Sequence, residues 1–223
     1  LKPNRLEAAK DVAAEFINGR PNDNIGITLF AGETFTQCPL TVDHAVLLDM
    51  IHNIKCGLIE DGTAVGMGIA NAVTRLKDSK AKSKVIILLT DGTNNKGDIS
   101  PLTAAEIAKS FGIRVYTIGV GTNGMAPYPY PVGNTVQYVN MPVEIDEKTL
   151  TQIAGTTDGN YFRATSNSKL KEVYEEIDKL EKTKLNVKEY SKRDEEYQWF
   201  ALAAFLCVLL EVLLRNSILK KIP

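Results

Sequence analysis

The residues Val85-Ile-Ile-Leu-Leu-Thr-Asp-Gly92 form an apolar run that ends in a polar turn. An unbroken apolar strand of this length is typical of a parallel sheet that is covered on both faces. A helix is predicted from Pro101 to about Phe111, and the next apolar strand runs from Ile113 to Val120. Strands that alternate with helices along the chain indicate an α/β sheet with right-handed crossovers.

Upstream of this run, the pattern begins with a helix. Asn4 followed by Glu7 resembles a capping box, and apolar residues then recur at helical spacing up to Asn18. No strand precedes this helix in the sequence, so we expect a domain that is truncated at its start, with the first central strand missing. The other predicted elements are strands at 25–30 and 35–41, helices at 43–53 and 63–77, a Gly/Pro-rich excursion at 121–142, a helix at 146–155, an edge strand at 160–163 and a helix at 167–182.

The last part of the chain has a different composition. An apolar run covers residues 199–210 and is followed by Glu211. With Tyr197 before it and Lys220-Lys221 after it, the segment is long enough for the roughly 20 residues of a membrane helix. The alternative is an amphipathic helix docked on a partner or on a membrane surface. The expected organisation is a folded domain at 1–182, a charged linker at 183–196 and a transmembrane helix at 197–219.

Composition and charge exclude several classes of protein. The chain has 223 residues, of which 26 are basic and 27 acidic, so it lacks the basic surplus of a nucleic-acid binder. Its three cysteines match neither a disulfide framework nor a zinc site. The two histidines, His44 and His52, have no carboxylate or cysteine at ligand spacing. No nucleophile with a base and no catalytic carboxylate pair is evident, so we predict a binding protein without a small-molecule substrate, not an enzyme.

The segment Gly119-Val-Gly-Thr-Asn-Gly124 has the glycine spacing of a dinucleotide site. Such a site also needs a helix that opens on the glycines and faces the pyrophosphate. The following residues, Met125-Ala-Pro-Tyr-Pro129, cannot begin a helix of this kind. The sequence therefore argues against a dinucleotide cofactor.

Thr63 and Asp91 are the candidate functional residues. Asp91 follows the apolar strand, and ligands of open α/β sheets bind beyond the carboxyl ends of the strands. Thr63 opens a glycine-rich helix start at 62–68, where its hydroxyl could cap the helix or reach a bound ion. The structural alternatives are close helix–sheet packing for the glycines and a simple turn for Asp91 before Gly92.

Taken together, Asp61-Gly-Thr-Ala-Val-Gly66 and Leu88-Leu-Thr-Asp-Gly92 resemble a von Willebrand factor A domain. The strand at 25–30 and Tyr116-Thr-Ile-Gly-Val-Gly121 also look like that family, so the resemblance covers about residues 1–182. Several details are similar to one branch, the membrane-bound Bat aerotolerance proteins of BatA type from Bacteroidetes. These are Lys2-Pro-Asn-Arg-Leu6, Phe30-Ala-Gly-Glu33, Val143-Glu-Ile-Asp-Glu147, Tyr161-Phe-Arg163 and Glu211-Val-Leu-Leu-Arg-Asn216.

The resemblance implies a doubly wound, mostly parallel sheet with a metal-ion-dependent adhesion site at one edge. In the family, an Asp-x-Ser-x-Ser triplet, a Thr and an Asp form this site, and Thr63 and Asp91 match the last two. The triplet belongs upstream of Leu1, so Mg²⁺ is expected only when that segment is present. Asp61, Gly62 and Gly92 would shape the surrounding loops. Hydroxyl and carboxylate oxygens suit Mg²⁺, which can accept a partner's carboxylate at an open position.

The function implied is a membrane-anchored module for metal-dependent protein–protein interaction, in envelope stress or aerotolerance. Other Bat-type membrane proteins are the expected partners, and the expected location is the inner membrane with the domain in the periplasm. One alternative is an accessory subunit of a MoxR-type AAA ATPase chaperone system. Another is a module whose metal site is vestigial.

Overall fold

A computed structural model of the chain describes residues 4–55, 57, 60–121, 124–132, 135–143, 145–190 and 197–217. The chain divides into two compact units, Leu1–Glu181 and Lys182–Pro223. The elements in chain order are α1 (Arg5–Asn18), β1 (Ile25–Phe30), β2 (Thr34–Thr41), α2 (His44–His52), α3 (Val65–Leu76), β3 (Lys84–Thr90), α4 (Pro101–Ser110), β4 (Ile113–Val120), β5 (Gly124–Val132), β6 (Thr135–Val143), α5 (Glu147–Thr156), β7 (Tyr161–Ala164), α6 (Asn167–Tyr190) and α7 (Tyr197–Ser217).

The core of the first unit is a parallel sheet in the order β3-β4-β7. Strand β4 lies in the middle, and all but one of its residues are buried. Side chains from α3, α4 and α5 pack on one face, where they meet Ile113 and Val115 of β4. Side chains from α1 and α6 pack on the other face, where they meet Tyr116 and Ile118. The expected α/β sheet with helices on both faces is confirmed.

Strands β1 and β2 form a separate antiparallel pair, as the hairpin pattern predicts. Within the described ranges, no strand pairs with the edge of β3 that faces away from β4. Ile86 and Leu88 of β3 are buried, while Ile87 and Leu89, which point to the opposite face of the sheet, are only half-buried. A strand inserted beside β3 would cover this edge. The missing central strand remains a prediction.

Side-chain caps begin the helices close to the predicted positions. Asn4 accepts a hydrogen bond from the Glu7 amide (2.8 Å), which confirms the predicted start of α1. Asp43 and Asp146 cap α2 and α5 in the same way. Helix α6 starts differently, because the Ser166 hydroxyl accepts from the Lys169 amide (3.2 Å). This helix also continues to Tyr190, eight residues beyond the predicted end, since no glycine or proline stops it.

A buried ionic network joins α6 to the amino ends of β3 and β4. Glu181 is 5% exposed, and its carboxylate pairs with the guanidinium of Arg114. The same carboxylate accepts hydrogen bonds from the Tyr116 hydroxyl (2.6 Å) and the Ser83 hydroxyl (2.8 Å). Burial alone would raise the pKa of Glu181, but the hydrogen bonds from Arg114, Tyr116 and Ser83 outweigh it, so the pKa lies below its ordinary value.

The Gly/Pro-rich excursion is an ordered hairpin. Strands β5 and β6 pair antiparallel in an unbroken register from Gly124↔Val143 to Val132↔Thr135. A strand therefore follows Gly121, where a dinucleotide site would require a helix. The hairpin starts just after β4 ends, so it is attached at the carboxyl end of the central strand.

The structure does not support the predicted transmembrane helix. Residues Tyr197–Ser217 are helical, but within the described ranges no helix is both long and apolar enough to cross a membrane. The apolar side chains of α7 that are exposed are Leu202, Phe205, Leu206, Val208, Leu209, Leu210, Val212 and Leu214.

Candidate functional site at the carboxyl edge of the sheet

The structure brings Thr63 next to the turn that carries Asp91. Strand β3 ends at Thr90, so Asp91 and Gly92 lie at the carboxyl edge of the sheet. A Cβ placed on Gly92 would be 3.3 Å from the Thr63 hydroxyl oxygen. The Thr90 hydroxyl holds this turn, because it accepts a hydrogen bond from the Gly92 amide (3.3 Å). The two residues predicted from the sequence thus belong to one place in the fold.

Thr63 does not cap α3, which corrects one of the two roles considered for it. The helix begins at Val65 with Ala64 in the cap position and without a side-chain cap. The backbone of Thr63 is held instead by Asn95, whose side-chain oxygen accepts from the Thr63 amide (2.8 Å). The Thr63 carbonyl accepts from the amides of Asn95 (3.0 Å) and Lys96 (3.3 Å). This leaves the Thr63 hydroxyl outside the capping of the helix.

Close backbone contacts position the 60–64 loop. The Ala64 amide donates to the Ala31 carbonyl (2.7 Å), and the Gly32 amide donates to the Glu60 carbonyl (2.8 Å). Gly62 has φ +146°, a conformation that L side chains rarely adopt, and a Cβ there would lie 3.0 Å from the Gly32 Cα. The expected loop-shaping role of Gly62 therefore has a physical basis. Asp61 lies in the same loop and is exposed.

Asn95 is a structural residue of the site, because its side chain holds the backbone of Thr63. Its neighbour Asn94 accepts weakly from the Gly66 amide, at 3.4 Å. Asparagine side chains readily bond to nearby backbone groups in turns, so the pair Asn94-Asn95 after an Asp-Gly turn was the available signal. What the sequence could not indicate was the partner, because Thr63 lies 32 residues away.

Arg5 is the main residue of the site that the sequence interpretation missed. Its Nη1 atom lies 3.0 Å from Oδ2 of Asp91, and the side chains are 26% and 50% exposed. Arg5 is the first residue of α1, and the positive end of the helix dipole disfavours a cation there. An arginine at the start of a helix was therefore the signal in the sequence that its side chain contacts another part of the fold.

A second arginine lies at the same edge. The Nε atom of Arg163 donates to the Gly121 carbonyl (2.9 Å), and its guanidinium pairs with Glu147. A Cβ on Gly121 would lie 3.6 Å from Cδ of Arg5, so both arginines approach the end of β4. Two ion pairs, Arg5–Asp91 and Arg163–Glu147, therefore border this edge and balance its charge.

Thr63 and Asp91 do not form a Mg²⁺ site by themselves. Their hydroxyl and carboxylate oxygens are of the type that Mg²⁺ prefers. However, the described part of the chain contains no group of three or more His, Cys, Asp or Glu side chains that could hold a metal ion. The Asp91 carboxylate is also already paired with Arg5.

The other polar candidates have ordinary structural roles. His44 and His52 each bond to a backbone carbonyl, of Asp23 (2.9 Å) and of Leu48 (2.8 Å). Cys38 is buried, and burial raises the pKa of its thiol. Cys56 lies outside the described residues.

A profile of the von Willebrand factor type A domain matches residues 3–176. The chain belongs to this family. Three features of the first unit agree with the match: the parallel sheet, the helices on both faces, and Thr63 beside the Asp91 turn.

Solved structures extend the likeness to Bat proteins. BatB of Bacteroides thetaiotaomicron is 32% identical, with a TM-score of 0.70 over 82% of this chain and 91% of that one. An aerotolerance-related membrane protein of Bacteroides fragilis is 29% identical, with a TM-score of 0.69 over 80% and 89%. The expected resemblance to Bat aerotolerance proteins is confirmed, although the named neighbour is BatB and the sequence motifs suggested BatA. Proximal thread matrix protein 1 of the mussel byssus is 25% identical, with a TM-score of 0.61 over 80% of this chain and 41% of that one. That structure is described with zinc in its metal-ion-dependent adhesion site (MIDAS) motif.

Curated relatives are longer than this chain. An uncharacterized protein of Borreliella burgdorferi is 27% identical over 220 residues, which are 98% of this chain. A UPF0353 protein of Mycolicibacterium paratuberculosis is 31% identical over 190 residues. The matches take up 64% and 53% of these relatives' lengths.

Proposed function

We propose that this chain is the partner-binding domain of a cell-envelope protein and that it acts by binding, without catalysis. The binding face is the carboxyl edge of the β3-β4-β7 sheet. The observation that carries the proposal is the position of the Thr63 hydroxyl beside the Asp91-Gly92 turn in a chain of the von Willebrand factor A family. Loops at this edge are the usual place for ligands of open α/β sheets.

A divalent cation would complete the binding face in a chain that carries the upstream triplet. Asp91 and Thr63 would then supply two of its oxygen ligands, and the triplet would supply the others. Mg²⁺ is the ion that this donor chemistry favours. Support comes from the zinc described in the MIDAS motif of the byssus protein, which has the same fold.

The β5–β6 hairpin is the second part of the proposed binding face. It leaves the sheet at the carboxyl end of β4, the edge that also carries Asp91. Its sequence contains Tyr128, Tyr130 and Tyr138, and tyrosine supplies amphipathic contact area that suits protein interfaces. A partner held at the Asp91 edge could therefore contact the hairpin as well.

We further propose attachment to the inner membrane, with the domain in the periplasm. The exposed leucines and Phe205 of α7 would lie in the headgroup boundary of the bilayer, as in helices that rest on a membrane surface. The Bacteroides fragilis neighbour is described as a membrane protein related to aerotolerance, which supports a role in the envelope and in aerotolerance. Other Bat-type proteins of the same membrane are the proposed partners.

The test is crosslinking of the membrane-bound protein to its Bat-type neighbours, with Mg²⁺ and after chelation by EDTA. The experiment uses the chain extended upstream by its natural sequence. Asp91→Ala is expected to remove the crosslink, and EDTA is expected to remove it too. Asp49→Ala, which removes an exposed carboxylate from α2, is the matched control and should keep the crosslink. A crosslink that survives both EDTA and Asp91→Ala would refute the proposed face, and a MoxR-type ATPase as the crosslinked protein would favour the accessory-subunit alternative.

A further inference from the structure

The β5–β6 hairpin has two outer edges that differ in their backbone chemistry. Within the described ranges the hairpin is a sheet of two strands, and neither strand pairs with a third. An unpaired strand edge exposes N–H and C=O groups that can bind another strand. Proline lacks the N–H group, so the positions of the hairpin's prolines decide which edge can do so.

The prolines of β5 fix which residues form the hydrogen bonds within the hairpin. In an antiparallel pair, successive residues direct their N–H and C=O groups alternately to the partner strand and outward. Pro127, Pro129 and Pro131 alternate with other residues, and the register is unbroken across all three. Because proline cannot donate, the residues between them must form the hydrogen bonds, and the backbone of the prolines faces outward. The pair Val132↔Thr135, which closes the register, belongs to the same hydrogen-bonded set.

The outer edge of β5 is therefore closed to a further strand, because from 127 to 131 it offers carbonyl groups and no N–H group. The outer edge of β6 is open. Val136, Tyr138 and Asn140 stand opposite the three prolines, so their N–H and C=O groups also point outward. One edge of the hairpin is thus blocked in the way that proteins use against edge-to-edge association, and the other can accept a strand.

The composition of the hairpin favours a second copy of the same strand at this open edge. The segment 124–143 contains no Asp, Glu, Lys, Arg or His, although 24% of the chain is charged. Two identical strands can therefore pair without the repulsion that like charges cause when they stand opposite each other. A two-stranded sheet is also only marginally stable by itself, and two paired hairpins form a sheet of four strands.

We propose that the chain forms a two-fold symmetric dimer in which β6 pairs antiparallel with β6 of a second copy. The two-fold axis passes beside Tyr138, so that Val136 stands opposite Asn140 of the partner subunit. This register gives every outward N–H and C=O group of residues 136, 138 and 140 a partner. A shift toward Pro142 would leave a carbonyl without a donor, and a shift the other way would carry the pairing past the first residue of β6.

The first test is disulfide crosslinking of the 223-residue chain in a nonionic detergent, which covers the exposed apolar side chains of α7. The parent chain carries Cys56→Ser and Cys207→Ser, because Cys207 is exposed and could crosslink by itself. Tyr138→Cys should give a dimer on a non-reducing gel, since Cα atoms of a hydrogen-bonded pair lie about 5.5 Å apart, within the reach of a disulfide. Tyr130→Cys is the matched control in β5. It should stay monomeric, because three strand spacings, about 14 Å, would separate its two copies.

The second test is sedimentation equilibrium of the chain in the same detergent. Tyr138→Pro removes an outward N–H group and leaves the hydrogen bonds within the hairpin, as the prolines of β5 do. The dimer should therefore dissociate at least about tenfold more readily. Val136→Lys/Asn140→Lys places like charges opposite each other and should also weaken the dimer, whereas Val136→Lys/Asn140→Glu places opposite charges there and should restore most of the affinity.

Three results would overturn the proposal: a dimer that survives Tyr138→Pro, equal crosslinking through residues 130 and 138, or equal weakening by the two double variants. A chain that is monomeric at every concentration would overturn it too, and would leave the open edge to an extended segment of another protein. The inference goes beyond the proposed function and does not depend on it. Neither Mg²⁺ nor a Bat-type partner enters these measurements, so their failure is distinct from loss of the partner crosslink.

Discussion

Arg5 and Asp91 form an ion pair of 3.0 Å that connects the start of α1 to the end of β3. Asp91 is one of the two residues that the family resemblance assigns to a metal site, and here its partner is an arginine of the same chain. The Asp91 carboxylate is therefore neutralised by a residue of its own chain.

The first prediction concerns Mg²⁺ binding measured by titration calorimetry. We expect the 223-residue chain to give no measurable binding, because one carboxylate and one hydroxyl cannot easily dehydrate Mg²⁺. Extension by the natural upstream segment should create a measurable site. Asp91→Ala in the extended chain should abolish that site, since it removes a charge as well as a ligand.

Tight Mg²⁺ binding by the 223-residue chain would contradict this prediction. So would an extended Asp91→Ala chain that still binds. Asp49→Ala again serves as the control, because it removes an exposed carboxylate at a distance from the site.

The second prediction compares how much Thr63 and Asn95 each contribute to the stability of the 60–64 loop. Thr63→Ala should change the free energy of unfolding by less than about 0.5 kcal/mol, because its hydroxyl does not cap α3. Asn95→Ala should cost about 1 kcal/mol, because it removes the acceptor of the Thr63 amide. Urea denaturation at neutral pH measures both values. A larger loss for Thr63→Ala than for Asn95→Ala would show that the threonine hydroxyl holds the loop.

Local signals in the sequence were sufficient for most of the elements. The caps at Asn4, Asp43 and Asp146 are short-range chemistry, and each is present in the structure. The apolar runs at 85–89 and 113–120 predict the parallel strands, since burial on both faces of a sheet requires a continuous apolar pattern. Thr63 and Asp91 could be identified as candidate functional residues because they match the family motif.

Contacts between distant residues could not be predicted in this way. Arg5 reaches Asp91, and Glu181 reaches Arg114, only because the folded chain brings separate helices and strands together. The sequence pattern predicts the start of α3 two residues too early for a related reason. The Thr63 backbone bonds to Asn95 of another loop instead of opening the helix.

The third prediction tests how closely α3 packs beside the site. A Cβ on Gly66 would lie 2.0 Å from the Ile99 carbonyl oxygen, and a backbone atom cannot easily move away. Gly66→Ala should therefore destabilise the domain by about 3 kcal/mol or more, even though alanine favours a helix by about 1 kcal/mol over glycine. Gly155→Ala is the matched control, because Gly155 is also helical and no atom lies within 4 Å of the added Cβ. Thermal unfolding of the two variants should shift in opposite directions, and similar shifts would refute close packing at Gly66.

The fourth prediction concerns the C-terminal segment. The unit Leu1–Glu181 is compact without α7, so removal of the residues from Tyr197 onward should leave the unfolding midpoint of this unit unchanged. The same deletion should release the protein from membranes into the soluble fraction, because it removes the exposed apolar side chains of α7. Fractionation of cells that express each form checks the second outcome. A 223-residue chain that is already wholly soluble in such cells would disprove the membrane attachment.

The last prediction concerns pH and the buried Glu181. Its pKa in the folded state lies below the ordinary value, so the network with Arg114 contributes stability above the pKa of the unfolded chain, about 4.3. This contribution is lost as the pH falls through the folded-state pKa, because protonation removes the charge that Arg114 pairs with. Glu181→Gln should therefore cost about 3 kcal/mol at pH 7, where it leaves the Arg114 guanidinium largely buried without its anion.

The difference between Glu181→Gln and the unchanged chain should shrink toward zero as the pH falls through the folded-state pKa of Glu181, because the unchanged chain then loses the same charge. Urea denaturation at a series of pH values measures this change. Glu176→Gln, an exposed glutamate of the same helix, should follow the unchanged chain at every pH. A constant difference across the pH range would mean that the shape of Glu181 and its hydrogen bonds, and not its charge, hold α6 against the sheet.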